Sequence, residues 1–286
     1  HLDVLKAAQI VMEEGIGNPI LLGNKEIILE LKKEIGFDVD VPILDPKTSE
    51  CDEKRLHYAN TFWESRKRRG ISLLDAQKWM RERNYFAAMM VNEGEADALV
   101  TGFSRSYPSV VKPIMQLIDK APGVSKIATT NMMMTNRGPM FFSDTAINID
   151  PSAHDLAKIA LMTAKTVRLF GMEPIIAMIS FSNFGSSNTE GASKVREVAY
   201  LHKYYPDLIV DGEIQTDFAL NPEMLKNKFP FSKLAGKKVN TLIFPNLEAA
   251  NINYKMLKEL YKVDSIGPIM LGLDKPVHIF QLGASV

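Results

Sequence analysis

Residues 141–188 contain, in succession, a strand-like run, a capped helix, a glycine-terminated turn, a second strand and a polar loop. Ser152 followed by Asp155 has the spacing of a capping box, so a helix is predicted to begin there. Gly171 stands where a left-handed C-terminal cap is expected. Residues 175–179 lack polar alternation, which is typical of a strand covered on both faces of a parallel sheet. This order of elements favours folds that alternate strands and helices.

Strand-like and helical runs also alternate through the rest of the chain. Strands are predicted near residues 19–23, 41–44, 98–100, 127–134, 208–210, 241–244 and 266–280. Helices are predicted near residues 4–11, 24–35, 53–69, 72–90, 110–118, 190–204, 216–227 and 249–261. This alternation indicates an α/β fold, with a mostly parallel sheet and helices on both faces. A chain of 286 residues is long enough for two such domains.

Composition excludes several classes of protein. The formal net charge is zero, so nothing in the total indicates a nucleic-acid or membrane-surface partner. Cys51 is the single cysteine, which excludes an intramolecular disulfide and fits a reducing, cytoplasmic setting. No apolar run reaches the roughly 18–20 residues that span a bilayer. The basic run at residues 66–69 is interpreted as a solvated helix end, with a phosphate-rich ligand or partner chain as the alternative.

The chain begins at His1 and enters a helical pattern at once. We therefore expect it to be a part of a longer protein.

Common catalytic motifs are absent from the sequence. It has no phosphate-binding G-x-x-x-x-G-K-[ST], no H-E-x-x-H and no C-x-x-C, and its five histidines are scattered. Asp211, Glu213 and Asp217 could form a carboxylate cluster for acid–base or metal chemistry. Acidic residues after a strand are more often caps and turns, and that interpretation is favoured here.

Three polar loops follow predicted strands, at residues 102–107, 180–188 and 246–254. Since they share one position in the βα pattern, we expect them at one edge of a sheet, where ligands bind in open α/β folds. Their hydroxyls, amides and cations suit a phosphorylated or carboxylated small molecule. The candidate ligand-binding residues are Arg105, Tyr107, Ser180, Ser182, Asn183, Gly185, Ser186, Asn246, Asn251 and Lys255.

Several ordered segments are similar to a known family. The segments at 94–102, 144–151, 210–217, 244–246 and 251–255 resemble the phosphate acetyl/butyryltransferases, and the similarity extends over nearly the whole chain. Further segments resemble one branch of that family, the phosphotransacetylase-like C-terminal domain of bacterial NADP-dependent malic enzymes. These segments are 83–86, 105–108, 180–185 and 229–232.

The resemblance implies a two-domain, three-layer α/β/α fold related to the isocitrate/isopropylmalate dehydrogenase fold. The first subdomain would comprise residues 1–143, completed by 268–286, and the second residues 144–267, through which the protein would dimerise. A cleft between them would bind acetyl-CoA, with the serines of residues 180–186 near the thioester. Asp217 matches an acidic position of the family and is interpreted as structural.

Three positions and one loop depart from the pattern of active family members. Active transferases resemble one another in carrying a Ser-Arg pair just before the closing Gly-x-Ser. This chain has Gln281 and Leu282 at those two positions. Lys112 replaces an arginine, and residues 105–108 replace a threonine-rich loop. Loss of one preorganised charge contact typically costs about 2–4 kcal/mol of transition-state stabilisation. Gln281, Leu282 and Lys112 are therefore interpreted as degenerate catalytic positions.

The resulting hypothesis is a non-catalytic regulatory domain of a bacterial malic enzyme, which binds acetyl-CoA as an allosteric effector and supports a homo-oligomer. The domain itself would need no cofactor or metal; NADP and Mg²⁺ or Mn²⁺ would belong to the N-terminal malic enzyme domains of the same polypeptide. Cytoplasmic localisation is expected, without a nucleic-acid or membrane partner. Two alternatives remain open: an active phosphate acetyltransferase, and an inert oligomerisation module.

Overall fold

A computed structural model describes residues 1–103, 106–198, 201–280 and 284–286, without the side chains of residues 202 and 203. The helices are α1 (Leu2–Glu13), α2 (Lys25–Glu34), α3 (Asp52–Arg66), α4 (Leu73–Trp79), α5 (Arg83–Asn92), α6 (Tyr107–Leu117), α7 (Ala153–Leu169), α8 (Glu190–Glu197), α9 (Leu201–Tyr204), α10 (Thr216–Ala219), α11 (Pro222–Lys228) and α12 (Leu247–Tyr261). The strands are β1 (Leu21–Leu22), β2 (Ile43–Leu44), β3 (Leu99–Thr101), β4 (Ala128–Thr135), β5 (Gly138–Ser143), β6 (Ile175–Ile179), β7 (Ile209–Ile214), β8 (Thr241–Ile243), β9 (Asp264–Leu271) and β10 (Val277–Ile279).

The chain divides into two compact units. The first comprises residues 1–119 and 274–286, and the second residues 120–273. This division falls before the hairpin of β4 and β5, whereas the subdomain boundary predicted from the sequence lies after it. The hairpin belongs with the second unit because β5 pairs in parallel with β8, and β4 pairs with β9.

The first unit contains two parallel strand pairs, β1 with β2 and β3 with β10. Its helices α3 and α5 bury Tyr58, Phe62 and Phe86 almost completely. Asn24 caps α2, as the sequence predicts, by accepting a hydrogen bond from the Ile27 N–H group.

The second unit contains a sheet with the strand order β9-β4-β5-β8-β6-β7. The strands from β5 to β7 are parallel, while β4 is antiparallel to both β9 and β5. The sequence did not predict the hairpin of β4 and β5. Its turn is stabilised by Thr135, whose hydroxyl donates to the Gly138 carbonyl oxygen at 2.8 Å, and Gly138 has a φ of +98°.

Helices cover both faces of this sheet. On one face Ile176 and Met178 of β6 pack in a buried cluster with residues of α7 and α8. On the other face the alternate residues Ala177 and Ile179 pack with residues of α11 and α12. Since successive side chains of a strand point to opposite faces, β6 is buried on both sides. The predicted α/β fold class, with a mostly parallel sheet and helices on both faces, is confirmed.

Local sequence signals predicted some helices correctly, but in two places they predicted one helix where the structure has two. The capping box of Ser152 and Asp155 is present, and Gly171 has a φ of +71° after α7. The helix predicted at residues 72–90 is two helices, α4 and α5. The helix predicted at 216–227 is also two, because Asn221 caps a new helix that begins at Pro222. Residues 199 and 200, inside the helix predicted at 190–204, lie outside the described residues.

In the described part of the chain, we find no helix that combines the length and the apolarity needed to cross a membrane.

Gly212 allows β6 and β7 to approach closely. It has a φ of +145°, and a Cβ atom there would lie 2.5 Å from the Met178 carbonyl oxygen. We expect Gly212→Ala to lower the free energy of unfolding by about 1–3 kcal/mol, since neither backbone can move freely inside the sheet. Urea titration measures this change. The control is Gly191→Ala in α8, where a Cβ would meet nothing within 4 Å. Equal unfolding midpoints for the two variants would contradict the packing argument.

Candidate functional site

The carboxyl ends of four strands meet at one edge of the sheet in the second unit. Because β5, β8, β6 and β7 run parallel, the segments that follow them lie side by side. We call this region the carboxyl edge and define it as residues 144–152, 180–189, 214–216 and 244–251. Ligands of open α/β sheets bind at such edges.

The carboxylate of Glu213, near the end of β7, is fully buried next to the carboxyl edge. The Ser182 hydroxyl donates to its Oε1 at 3.0 Å, and the Gly185 N–H donates to the same oxygen at 2.8 Å. Arg196 of α8 donates through Nε to Oε2 at 2.9 Å and through Nη2 to Oε1 at 3.0 Å. We call these four residues the Glu213 clamp. It attaches the loop at residues 180–188 to both β7 and α8.

The clamp is an ion pair at neutral pH. Burial raises the pKa of Glu213, but the hydrogen bonds from Arg196, the Gly185 N–H and Ser182 outweigh burial and lower that pKa below the ordinary value of a glutamate. The hydrogen bond to Glu213 raises the pKa of Arg196. Both groups therefore remain charged, and the carboxylate accepts every hydrogen bond of the clamp.

The same loop has two further attachments. Asn183 donates through Nδ2 to the Gln215 Oε1 at 2.6 Å and accepts the Gln215 N–H at 2.8 Å. Phe184 has a φ of +45°, and its ring packs against those of Phe229 and Phe231, each at a centroid distance of 5.0 Å. A left-handed non-glycine residue costs about 1–3 kcal/mol and persists only where its surroundings fix it. The loop therefore has a defined conformation before any ligand binds.

A second buried carboxylate shapes the neighbouring segment after β5. Asp144 is 3% exposed and accepts the Thr129 N–H at 3.0 Å and the Asn148 N–H at 2.8 Å. Asn251 of α12 donates to the Thr145 carbonyl oxygen at 3.0 Å. Asn251, a predicted ligand residue, thus joins α12 to residues 144–148.

Lys194 connects two segments of the carboxyl edge to α8. From α8 it donates to Asp150 Oδ1 at 2.6 Å and to the Pro245 carbonyl oxygen at 3.1 Å. Asn246, the next residue, accepts the Ala249 N–H at 2.9 Å and caps α12. The side-chain oxygen of Asn246, predicted to face a ligand, is therefore used by the helix.

The structure brings most of the predicted ligand residues together at the carboxyl edge. These are Ser180, Ser182, Asn183, Gly185, Ser186, Asn246 and Asn251. Lys255 is exposed on α12, one turn beyond Asn251. Their binding of a ligand stays a prediction.

The remaining predicted residues belong to the first unit or lie outside the described residues. Tyr107 begins α6, and Lys112 of the same helix has its Nζ 5.7 Å from the ring centroid of Trp79. Arg105, Gln281 and Leu282 lie outside the described residues, so their predicted roles stay predictions.

The hypothesis of a shared carboxylate cluster is wrong. Asp211 accepts hydrogen bonds from the Ser232 hydroxyl at 2.8 Å and the Lys233 N–H at 2.9 Å. Glu213 belongs to the clamp, and Asp217 is exposed in the first turn of α10. Within the described ranges, no three His, Cys, Asp or Glu side chains converge in a way that could bind a metal ion.

Sequence reasoning missed the partnership of Glu213 with Arg196. The available signal was a glutamate close to the apolar residues of β7, because a buried carboxylate requires charged or hydrogen-bonding partners. Which side chains would supply them depends on tertiary contacts between β7, α8 and the loop, and these cannot be read from spacing. The loop that results presents hydroxyls and amides to solvent, and such donors suit phosphate or carbonyl oxygens.

The clamp generates a prediction about acid stability. Since the pKa of Glu213 is lowered in the folded state, its contribution to stability is complete above the unfolded-state pKa of about 4.3 and is lost as pH falls through the lower folded value. We expect Glu213→Gln to lower the free energy of unfolding at pH 7 by about 1–3 kcal/mol. The difference from the unsubstituted protein should shrink as the pH is lowered below about 4.3. Urea titrations across this range measure the difference, and one that does not change with pH would contradict the assignment.

Comparisons with known proteins agree on the family. The family model described as phosphate acetyl/butaryl transferase matches residues 2–286. A phosphate acetyltransferase from Thermoanaerobacterium thermosaccharolyticum is 40% identical over 290 residues, which cover 98% of this chain and 87% of that protein. The crystal structure of a phosphotransacetylase from Streptococcus pyogenes matches with a TM-score of 0.89 at 38% identity, covering 100% of this chain and 86% of that one.

Malic enzymes are also relatives. The NADP-dependent malic enzyme of Haemophilus influenzae is 38% identical over 99% of this chain, but the match covers only 38% of that protein. The phosphate acetyltransferase above is instead matched over 87% of its own length. The hypothesis of a non-catalytic regulatory malic enzyme domain is therefore wrong, and the findings support its alternative, a phosphate acetyltransferase. These similarities fit an acyltransferase family better than an oxidoreductase family.

The predicted resemblance is confirmed over almost the entire sequence by the family model and over the whole chain by the fold. The chain belongs to the phosphate acetyl/butaryl transferase family.

Proposed function

We propose that this protein is a phosphate acetyltransferase, which moves an acetyl group between coenzyme A and inorganic phosphate. The observation that carries the proposal is the 40% identity to a phosphate acetyltransferase over 98% of this chain and 87% of that protein. The carboxyl edge supports it, because a preformed loop of hydroxyls and amides suits both a phosphate and a thioester carbonyl.

The proposed reaction conserves atoms and charge without a cofactor or metal. An oxygen of hydrogen phosphate bonds to the carbonyl carbon of acetyl-CoA, and negative charge develops on the carbonyl oxygen. The carbon–sulfur bond then breaks, and the sulfur leaves with the electron pair. The proton carried by hydrogen phosphate ends on that sulfur, which gives acetyl phosphate and the free thiol of coenzyme A.

Such a reaction needs donors in two places. One set must orient the phosphate oxygens, and another must stabilise the oxyanion that forms at the thioester carbonyl. We assign the hydroxyl of Ser180 and the exposed cation of Lys255 to these tasks. The hydroxyl of Ser186 already pairs with that of Ser182 at 2.9 Å and accepts the Asn183 N–H at 3.0 Å, so it helps to fix the loop. Ser182, Gly185 and Asn183 fix the loop, since their polar groups already have protein partners.

We further propose that this protein acts in the cytoplasm as a homo-oligomer whose subunits associate through the second unit. An apolar stripe on α12 supports the association: Ile252, Met256 and Leu260 are four residues apart and are 61%, 48% and 68% exposed. Residues spaced by four lie on one helix face, and exposed apolar patches of this kind are typical of interfaces.

The test of the proposed function is phosphate-dependent release of free thiol from acetyl-CoA. We expect turnover that saturates with both phosphate and acetyl-CoA, because both must be bound for transfer. A thiol reagent follows the release, and omission of phosphate is the control. Thiol release that does not exceed the control at any phosphate concentration would contradict the proposal.

Leu282 provides an independent test. It stands where active members of the family resemble one another in having an arginine. The bound phosphate would therefore contact one cation fewer in this protein. We expect Leu282→Arg to raise kcat/KM for phosphate by about 10²-fold, the typical effect of one preorganised charge contact. The control is Leu282→Met, which changes shape without adding charge. An equal gain in both variants would contradict an electrostatic role for the position.

A further inference from the structure

The hydroxyl of Ser180 differs from its neighbours in the loop. Ser180 is 8% exposed, and its Oγ accepts the Ser182 N–H at 3.4 Å. No residue that the structure describes accepts a hydrogen bond from this hydroxyl. By contrast, Ser182 donates to Glu213, and Ser186 pairs with Ser182 at 2.9 Å. A buried donor without an acceptor costs about 1–3 kcal/mol, unless a water or ligand accepts from it.

The position of Ser180 suits a ligand. It directly follows β6, and its N–H donates to the Ile214 carbonyl oxygen of β7 at 2.9 Å, so its backbone is fixed to the sheet. Its hydroxyl thus lies at the carboxyl edge, on a rigid element. A fixed donor costs no reorganisation when charge develops on a substrate oxygen.

A chain of contacts connects this hydroxyl to the clamp. Arg196 fixes the carboxylate of Glu213, Glu213 fixes the hydroxyl of Ser182, and the Ser182 N–H contacts the Ser180 oxygen. Removing the charge of Glu213 would release Ser182, and the direction of the Ser180 O–H would then be lost.

We propose that Ser180 is a catalytic hydrogen-bond donor to the oxygen that gains charge during acyl transfer, and that Glu213 and Arg196 are positioning residues that act through it. This inference rests on the proposed acetyltransferase function. In that reaction Ser180 contacts the substrate, whereas Ser182 and Gly185 hold the loop to Glu213. The proton of Ser180 stays on its own oxygen throughout, since only a hydrogen bond is donated.

A double-mutant cycle on kcat tests the proposal. We expect Ser180→Ala to lower kcat about 10²-fold, the usual cost of one oxyanion donor, with little change in KM for acetyl-CoA or in melting temperature. We expect Glu213→Gln to lower both kcat and the melting temperature. If Glu213 acts through Ser180, the double variant should lose no more kcat than Ser180→Ala alone, because both changes remove one interaction.

Two further variants complete the design. Ser180→Thr retains the hydroxyl and should restore part of kcat. Arg168→Gln removes an exposed ion pair in the same unit, with 3.4 Å between Arg168 and Glu173, and should leave kcat unchanged. All rates are measured below the lowest melting temperature of the set, so that loss of folded protein does not enter.

The outcomes separate the inference from the function on which it rests. An unsubstituted protein without phosphate-dependent turnover would overturn both. Normal turnover with an unaffected kcat in Ser180→Ala would overturn the role of Ser180 alone. Losses of kcat that multiply in the double variant would overturn the action of Glu213 through Ser180, because independent sites are additive in free energy.

Discussion

The buried carboxylate of Glu213 is the interaction on which the candidate site depends. A charge that is 0% exposed is tolerated only when its hydrogen-bonding capacity is satisfied, and here Arg196, Ser182 and the Gly185 N–H satisfy it. Removing one of these three partners would leave part of the buried charge of Glu213 without a hydrogen bond. The loop at residues 180–188 therefore has a single favourable conformation. The ion pair of Glu213 and Arg196 fixes the positions of the exposed groups of that loop.

The sheet makes this arrangement possible. Parallel pairing of β5, β8, β6 and β7 places four connecting segments at one edge, and Gly212 lets β7 approach β6 closely just before Glu213. Lys194 and Asn251 then join neighbouring segments by hydrogen bonds. Each of these hydrogen bonds joins groups of two different segments, so a single loop could not form it alone. The result is a prearranged polar surface, which is what acyl transfer between a thioester and phosphate requires.

The sequence predicted what depends on local chemistry. The capping box at Ser152, the left-handed cap at Gly171 and the doubly buried strand at residues 175–179 follow from neighbouring side chains and from hydrophobic spacing. It also grouped the loops at residues 180–188 and 246–254 correctly, since strand direction alone places them, whereas the loop at residues 102–107 belongs to the first unit. It could not show that Glu213 needs Arg196, or that the oxygen of Asn246 caps a helix, because partners distant in sequence decide both. The functional hypothesis overweighted a few substituted positions relative to similarity along the full chain.

We infer that the charge of Glu213 fixes the loop to which we assign the proposed acyl transfer. Hydrogen exchange at the Gly185 amide tests it most directly, because this N–H donates to Glu213 at 2.8 Å. We expect slow exchange in the unsubstituted protein and much faster exchange in Glu213→Gln, while amides of β6 exchange equally in both. Fast exchange at Gly185 in the unsubstituted protein, or equal exchange in both proteins, would contradict it.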